Sequence, residues 1–152
     1  MTQPQQPTLP DDTVAAIQAA LGAEHAAIWV YGLVSAFLKA SFDAPIRDGA
    51  TAHRARRDAI ARLLGRFGKT PEPAKAAYLT PQPVTDEASA LAVLVTAEQD
   101  ATVAWRAALE RCDDADVRKT ALEGLTSAAV RATRWRKLAG ITPLTSAQPG
   151  LP

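Results

Sequence analysis

Four charged side chains stand where a helical core calls for apolar ones. Glu24 falls between Leu21 and Ile28, Arg57 between His53 and Ile60, Glu98 between Val95 and Trp105, and Arg131 between Ala128 and Trp135. A lone charge at a core position costs several kcal/mol, so such residues are expected to pair. Arg57 follows Glu24 by 33 residues, and Arg131 follows Glu98 by 33. Two residues of an antiparallel hairpin lie level when their midpoint falls in the turn. These midpoints fall between Ala40 and Ser41 and near Ala115. The spacing therefore predicts the buried pairs Glu24–Arg57 and Glu98–Arg131. His53, one turn from Arg57 on the same stripe, reads as a histidine hydrogen-bonded to a carboxylate or to backbone. As a ligand it would join Glu24 and Glu98 in a small metal site. His25 points about 100° away from Glu24 on the helix wheel, toward the surface or another subunit.

The elements that must position these groups are helices. From Asp11 to about Phe42 a stripe at spacings of three and four runs through Ile17, Leu21, Ile28, Tyr31 and Leu38, with Glu24 and Ser35 at its skipped positions. Pro45 suits the first turn of a second helix, about 46–67, closed by Gly68. Pro71, Pro73, Pro81 and Pro83 make 69–85 a long crossover, with at most a short turn near Ala74–Tyr78. Thr85-Asp86-Glu87 caps a third helix running to about Cys112. Asp113, Asp114 and Asp116 start a fourth, which continues to Gly140. Residues 1–10 read as a disordered lead-in, 11–140 as the domain, and 141–152 as a Pro-rich tail lying on the bundle or mobile. The fold class is all-α: an antiparallel four-helix bundle of two hairpins.

The two hairpins echo one another. Ala23-Glu24-His25-Ala26-Ala27 matches Ala97-Glu98-Gln99-Asp100-Ala101, and a basic helix follows each. With an inward Glu on helices one and three, the pattern resembles the ferritin-like fold. The strings Ala23-Glu24-His25, His53-Arg54-Ala55-Arg56-Arg57-Asp58, Pro81-x-Pro83-Val84, Arg131-x-x-Arg134-Trp135-Arg136 and Thr142-Pro143-Leu144 resemble an actinobacterial ferritin-like family of unknown function. That resemblance implies a ferritin-like bundle and no established activity. Di-iron members of the superfamily add a Glu-x-x-His motif from helices two and four. Here Arg57 with Ile60, and Arg131 with Arg134, stand in those places. A guanidinium has donors only. It would also repel a divalent ion at ~4 Å by about 8 kcal/mol at an effective dielectric of ~20. The resemblance and its departures imply that Glu24, Arg57, Glu98, Arg131, His53 and Arg134 form a buried charge network at a former metal site.

Composition narrows the rest. The chain has 152 residues, 22% of them charged, 5% aromatic, and a net charge of +1. That balance argues against nucleic acid as a partner, although Arg54, Arg56, Arg62 and Arg66 make helix two basic. A single cysteine, Cys112, rules out an internal disulfide framework. The apolar run from Ala26 to Leu38 is shorter than a membrane span and reads as a buried helix. The first ten residues lack the pattern of a signal peptide, so a cytoplasmic location is expected. The expectation is a non-enzymatic binding or scaffolding bundle without cofactor, homodimeric, with an unknown protein or small-molecule partner. An exposed Trp29 would make helix one the dimer face. The competing reading is an iron- or manganese-binding oxidoreductase with the reduced ligand set Glu24, His53 and Glu98.

Overall fold

The structure is a computed structural model and describes residues 7–151. The first six residues of the expected lead-in, and Pro152, lie outside the described residues. Within that lead-in, Leu9 is buried against the core and Pro10 stands at the N-cap of the first helix.

Four helices follow: α1 (Asp11–Val34), α2 (Asp43–Arg66), α3 (Glu87–Glu110) and α4 (Ala115–Ala139). Their starts obey local chemistry. Asp86 and Ser89 form a reciprocal capping box on α3. At α4, Asp114 accepts hydrogen bonds from the N–H groups of Asp116 and Val117. Gly68 and Gly140, both at φ +68°, follow the ends of α2 and α4.

The first helix is shorter than its apolar pattern predicts. It ends at Val34 rather than near Phe42, because the backbone tightens there: Ala36 N–H bonds Leu33 O and Phe37 N–H bonds Val34 O. A 3₁₀ turn at Ala40–Phe42 then leads directly into α2. Leu38 and Phe42 still pack on the core, but from this connection. The apolar rhythm thus continues past the helix end, because the connection packs on the same core.

Helices α1 and α3 form the central pair, with α2 flanking α1 and α4 flanking α3, while α2 and α4 touch sparsely. Thr13 Oγ1 of α1 bonds the Arg111 carbonyl at one end, and Lys39 Nζ meets Glu87 at the other (3.2 Å). Those contacts set α1 antiparallel to α3. The crossover has no helical turn near Ala74–Tyr78; it climbs α1 instead. Gln18 bonds Thr70 and Glu72, the His25 ring lies 3.2 Å from the Glu72 carbonyl, and Trp29 is partly covered by Tyr78. Trp29 therefore does not present the open face that helix-one dimerisation called for. By length and composition α1 could cross a membrane. In the bundle its core stripe is covered by α2 and α3, and fully buried Glu24 sits in its middle.

Two glycines set how closely the helices of each hairpin approach. A Cβ on Gly49 of α2 would overlap the Tyr31 ring of α1. One on Gly124 of α4 would lie 2.5 Å from the Trp105 indole of α3. Each hairpin thus places a small residue under a large aromatic one, two turns after its inward Glu. Gly49→Ala and Gly124→Ala should each cost about 1–3 kcal/mol by overpacking. Gly32→Ala and Gly65→Ala, where a Cβ meets nothing within 4 Å, should instead stabilise by about 0.4–1 kcal/mol. Urea denaturation of the four variants checks both signs.

Candidate functional site

The turn between α1 and α2 decides which residue of α2 lies level with Glu24. With α1 ending at Val34 and α2 starting at Asp43, the midpoint falls between Leu38 and Lys39. Glu24 is then level with His53, one full turn short of Arg57. The same holds in the second hairpin: helix ends at Glu110 and Ala115 bring Glu98 level with Ser127, one turn short of Arg131.

Neither expected Glu–Arg pair forms. Arg57 Nε donates to its neighbour Asp58 at 2.8 Å on a partly exposed face. Arg131 Nη1 donates to Ser127 Oγ at 2.6 Å. Arg134 is exposed and joins no buried network. Of the six residues assigned to the charge network, Glu24, His53 and Glu98 are brought together; Arg57, Arg131 and Arg134 are not.

What forms instead is a bridge through His53. Its Nδ1 lies 2.6 Å from Glu24 Oε2 and its Nε2 lies 3.0 Å from Glu98 Oε1, with all three side chains fully buried. Glu24 Oε1 accepts from the Trp105 indole N–H at 2.6 Å and from Arg56 Nη1 at 3.2 Å. Glu98 Oε1 also accepts the Tyr31 hydroxyl at 2.5 Å, and that hydroxyl accepts from Trp135 Nε1 at 2.7 Å. Glu98 Oε2 is buried and makes no hydrogen bond among the described residues. The helix geometry explains the exchange of partners. Side chains tilt toward their helix N-terminus, so Tyr31, seven residues after Glu24, reaches Glu98 across the antiparallel pair. Trp105, seven residues after Glu98, reaches Glu24 in return.

The electrostatics suit an imidazolium. Burial alone would push the His53 pKa down, but its hydrogen bonds to Glu24 and Glu98, with both carboxylate charges, push it up to about 9. Burial would raise the Glu24 pKa; the hydrogen bond and charge of His53, helped by Arg56 and Trp105, hold it below the usual range. The Tyr31 phenol is raised far above its ordinary value by burial and by Glu98, so it stays a donor. Two carboxylates are matched by one imidazolium and one guanidinium. The Tyr31 ring, its centroid 5.3 Å from that of His53, adds an aromatic face beside the cation.

This donor set does not fit a metal ion. An imidazole ligand must offer a nitrogen lone pair, and here both ring nitrogens are aimed at carboxylate oxygens. Glu24 and Glu98 approach opposite ends of the ring, so their oxygens do not converge on a common point beside it. Among the described residues, no group of three or more His, Cys, Asp or Glu side chains is placed to hold a metal.

Sequence reasoning missed Tyr31, Arg56, Trp105 and Trp135 as members of the site. Tyr31, Trp105 and Trp135 were read as plain core because they continue the apolar stripe. Tyr31 and Trp105 each follow an inward Glu by seven residues, and that spacing was the available signal, since a buried Tyr or Trp needs a partner for its O–H or N–H. Arg56, one of the arginines that make α2 basic, turns inward, its side chain 11% exposed.

Replacing His53 with Ala strands two buried carboxylates and should cost about 3–5 kcal/mol. Arg57→Ala should stay within about 0.5 kcal/mol. A double-mutant cycle of Glu24→Gln with His53→Gln should show strong coupling, and one with Arg57→Met near-additivity. The pH dependence follows from the direction of each shift. His53, raised from 6.5 to about 9, contributes its stabilisation fully below pH 6.5 and loses it as pH rises through about 9. The expected loss is on the order of 3 kcal/mol. Glu24, lowered, contributes at neutral pH and loses its share in acid. Urea midpoints across pH should fall between about pH 6.5 and 9 in the native chain and stay flat there in His53→Gln.

A family model described as a domain of unknown function, DUF4439, matches residues 16–152. Among solved structures, the chain is similar to a conserved hypothetical protein, rv2844, from Mycobacterium tuberculosis. That similarity has 39% identity and a TM-score of 0.83, and it covers 91% of this chain and 97% of that one. It is also similar in fold to a ferritin-like, diiron-carboxylate protein from Bacillus anthracis str. Ames. There the identity is 11% and the TM-score 0.71, covering 86% of this chain and 99% of that one. No curated protein matches the chain. With a buried acid on each central helix and a family match over nearly its whole length, the chain belongs to the DUF4439 family and has a ferritin-like four-helix fold.

Proposed function

We propose that this bundle has exchanged a di-iron centre for a carboxylate–imidazolium–carboxylate bridge, and that it works as a non-enzymatic binding or scaffolding protein. The observation that carries this reading is the use of both His53 ring nitrogens, one on Glu24 and one on Glu98. The imidazolium supplies, as a fixed part of the chain, the positive charge that facing acids need. Full burial of all three side chains also favours a structural role, because a substrate has no direct path to them. The second reading, an iron- or manganese-binding oxidoreductase, would require the His53 ring to rotate out from between its carboxylates.

Protein purified from cells grown with added iron and manganese tests the choice by elemental analysis and thermal unfolding. The expected result is far less than one metal ion per chain, with a melting temperature unchanged by a chelator. Stoichiometric iron or manganese, with a melting temperature that falls on chelation, would overturn it.

A further inference from the structure

The C-terminal segment does not simply lie on the bundle; it closes one side of a cavity. Arg106 of α3 donates to the Pro149 carbonyl at 3.3 Å. Gly150 fits so closely that a Cβ there would lie 2.7 Å from the Thr102 carbonyl oxygen. Between this strap and the α3–α4 groove is a half-open cavity of about 750 Å³, within the range of about 300–1,000 Å³ typical of small-molecule sites.

Its lining mixes apolar residues with the hydroxyls of Thr102, Thr133, Thr145 and Ser146. Val103, Val130, Pro149 and Leu151 give one part an apolar surface, and Val103, Val130 and Leu151 are large hydrophobic residues left 45–47% exposed. Gln99 and Arg136 line both this cavity and a smaller one, of about 320 Å³, that opens beside it under Pro143. These two side chains, with Pro143, therefore lie where the cavities meet. Among the described residues, Arg136 is the only charged one on either wall, and no Asp or Glu lines them. Its guanidinium makes no ion pair among the described residues, as is also true of Arg131 and Arg134; what sets it apart is its place on the wall of this cavity. A guanidinium without an acidic partner and an amide on the wall of a largely apolar cleft complement a carboxylate carried on an apolar body.

We propose that this cleft binds a small amphipathic carboxylate, its anionic head on Arg136 and Gln99 and its apolar body against Val103, Val130 and Leu151. The site lies outside the buried His53 network and does not rest on the reading of that network. A negative metal result would leave it standing, and its own failure would leave the bridge unaffected.

Decanoate is a suitable probe, with decan-1-ol as the uncharged control of equal chain length. Titration calorimetry on the full chain should show saturable 1:1 binding of decanoate, with the alcohol at least tenfold weaker. Amide shifts should concentrate at Gln99, Val103, Thr133 and residues 145–151. Arg136→Gln should weaken decanoate at least tenfold and leave the alcohol unchanged. Val103→Glu, at an exposed position that does not threaten folding, should weaken decanoate through like-charge repulsion. No saturable binding, equal affinity for acid and alcohol, insensitivity to Arg136→Gln, or shifts confined to another face would each overturn the proposal.

Discussion

One imidazole holds the centre of this bundle. Two carboxylates on the antiparallel central helices would repel each other across a dry core, and neither could be desolvated alone at tolerable cost. His53 lies between them and donates from both ring nitrogens, so the arrangement holds only while the ring is charged. The rest of the site protects that state. Trp105 and Arg56 complete Glu24, Tyr31 and Trp135 support Glu98, and no water-exposed surface competes for the bridging hydrogen bonds.

Around that bridge the apolar core divides in two. One part gathers Ile17, Leu21, Ile60, Leu64 and Trp105 toward the start of α1. The other gathers Val30, Val34, Leu91, Leu94 and Trp135 toward its end. The polar layer between them specifies register, since slipping either hairpin by a turn would bury a charge against the wrong partner. The glycines at 49 and 124 serve the same end by letting Tyr31 and Trp105 approach the neighbouring helix closely. The internal echo of the two hairpins is thus structural as well as textual, but it is broken at one point. His53 of the first hairpin serves both acids, and the level position of the second carries only Ser127.

That asymmetry leaves Glu98 Oε2 without a hydrogen bond among the described residues. It also leaves Arg131 and Arg134 facing the seam between α2 and α4, where those helices are least tightly packed. The strap of residues 143–151 covers a different seam, between α3 and α4, and there the cavity has both an apolar wall and an unmatched cation. The buried bridge at the centre and the partly exposed Arg136 beside the strap are therefore separate charge environments in the same bundle.

Much of this was legible in the chain itself. Helix-capping aspartates, helix-ending glycines and the four crossover prolines are local signals, and the elements they predict are present. The inward placement of Glu24, His53 and Glu98 was also readable, because an apolar stripe interrupted by a charge is visible in a helical repeat. Which partners those charges take was not. Arg57 or His53 lies level with Glu24 according to where α1 stops, and an apolar pattern that runs on to Phe42 hides the turn at Val34. One helical turn of register exchanged an arginine for a histidine, and only the packed hairpins determine that register. The tertiary structure likewise turned Tyr31 and Trp105 from core residues into hydrogen-bond donors, because their partners lie on another helix more than sixty residues away. Local sequence sets which groups face inward; the lengths and tilts of packed helices set which of them meet.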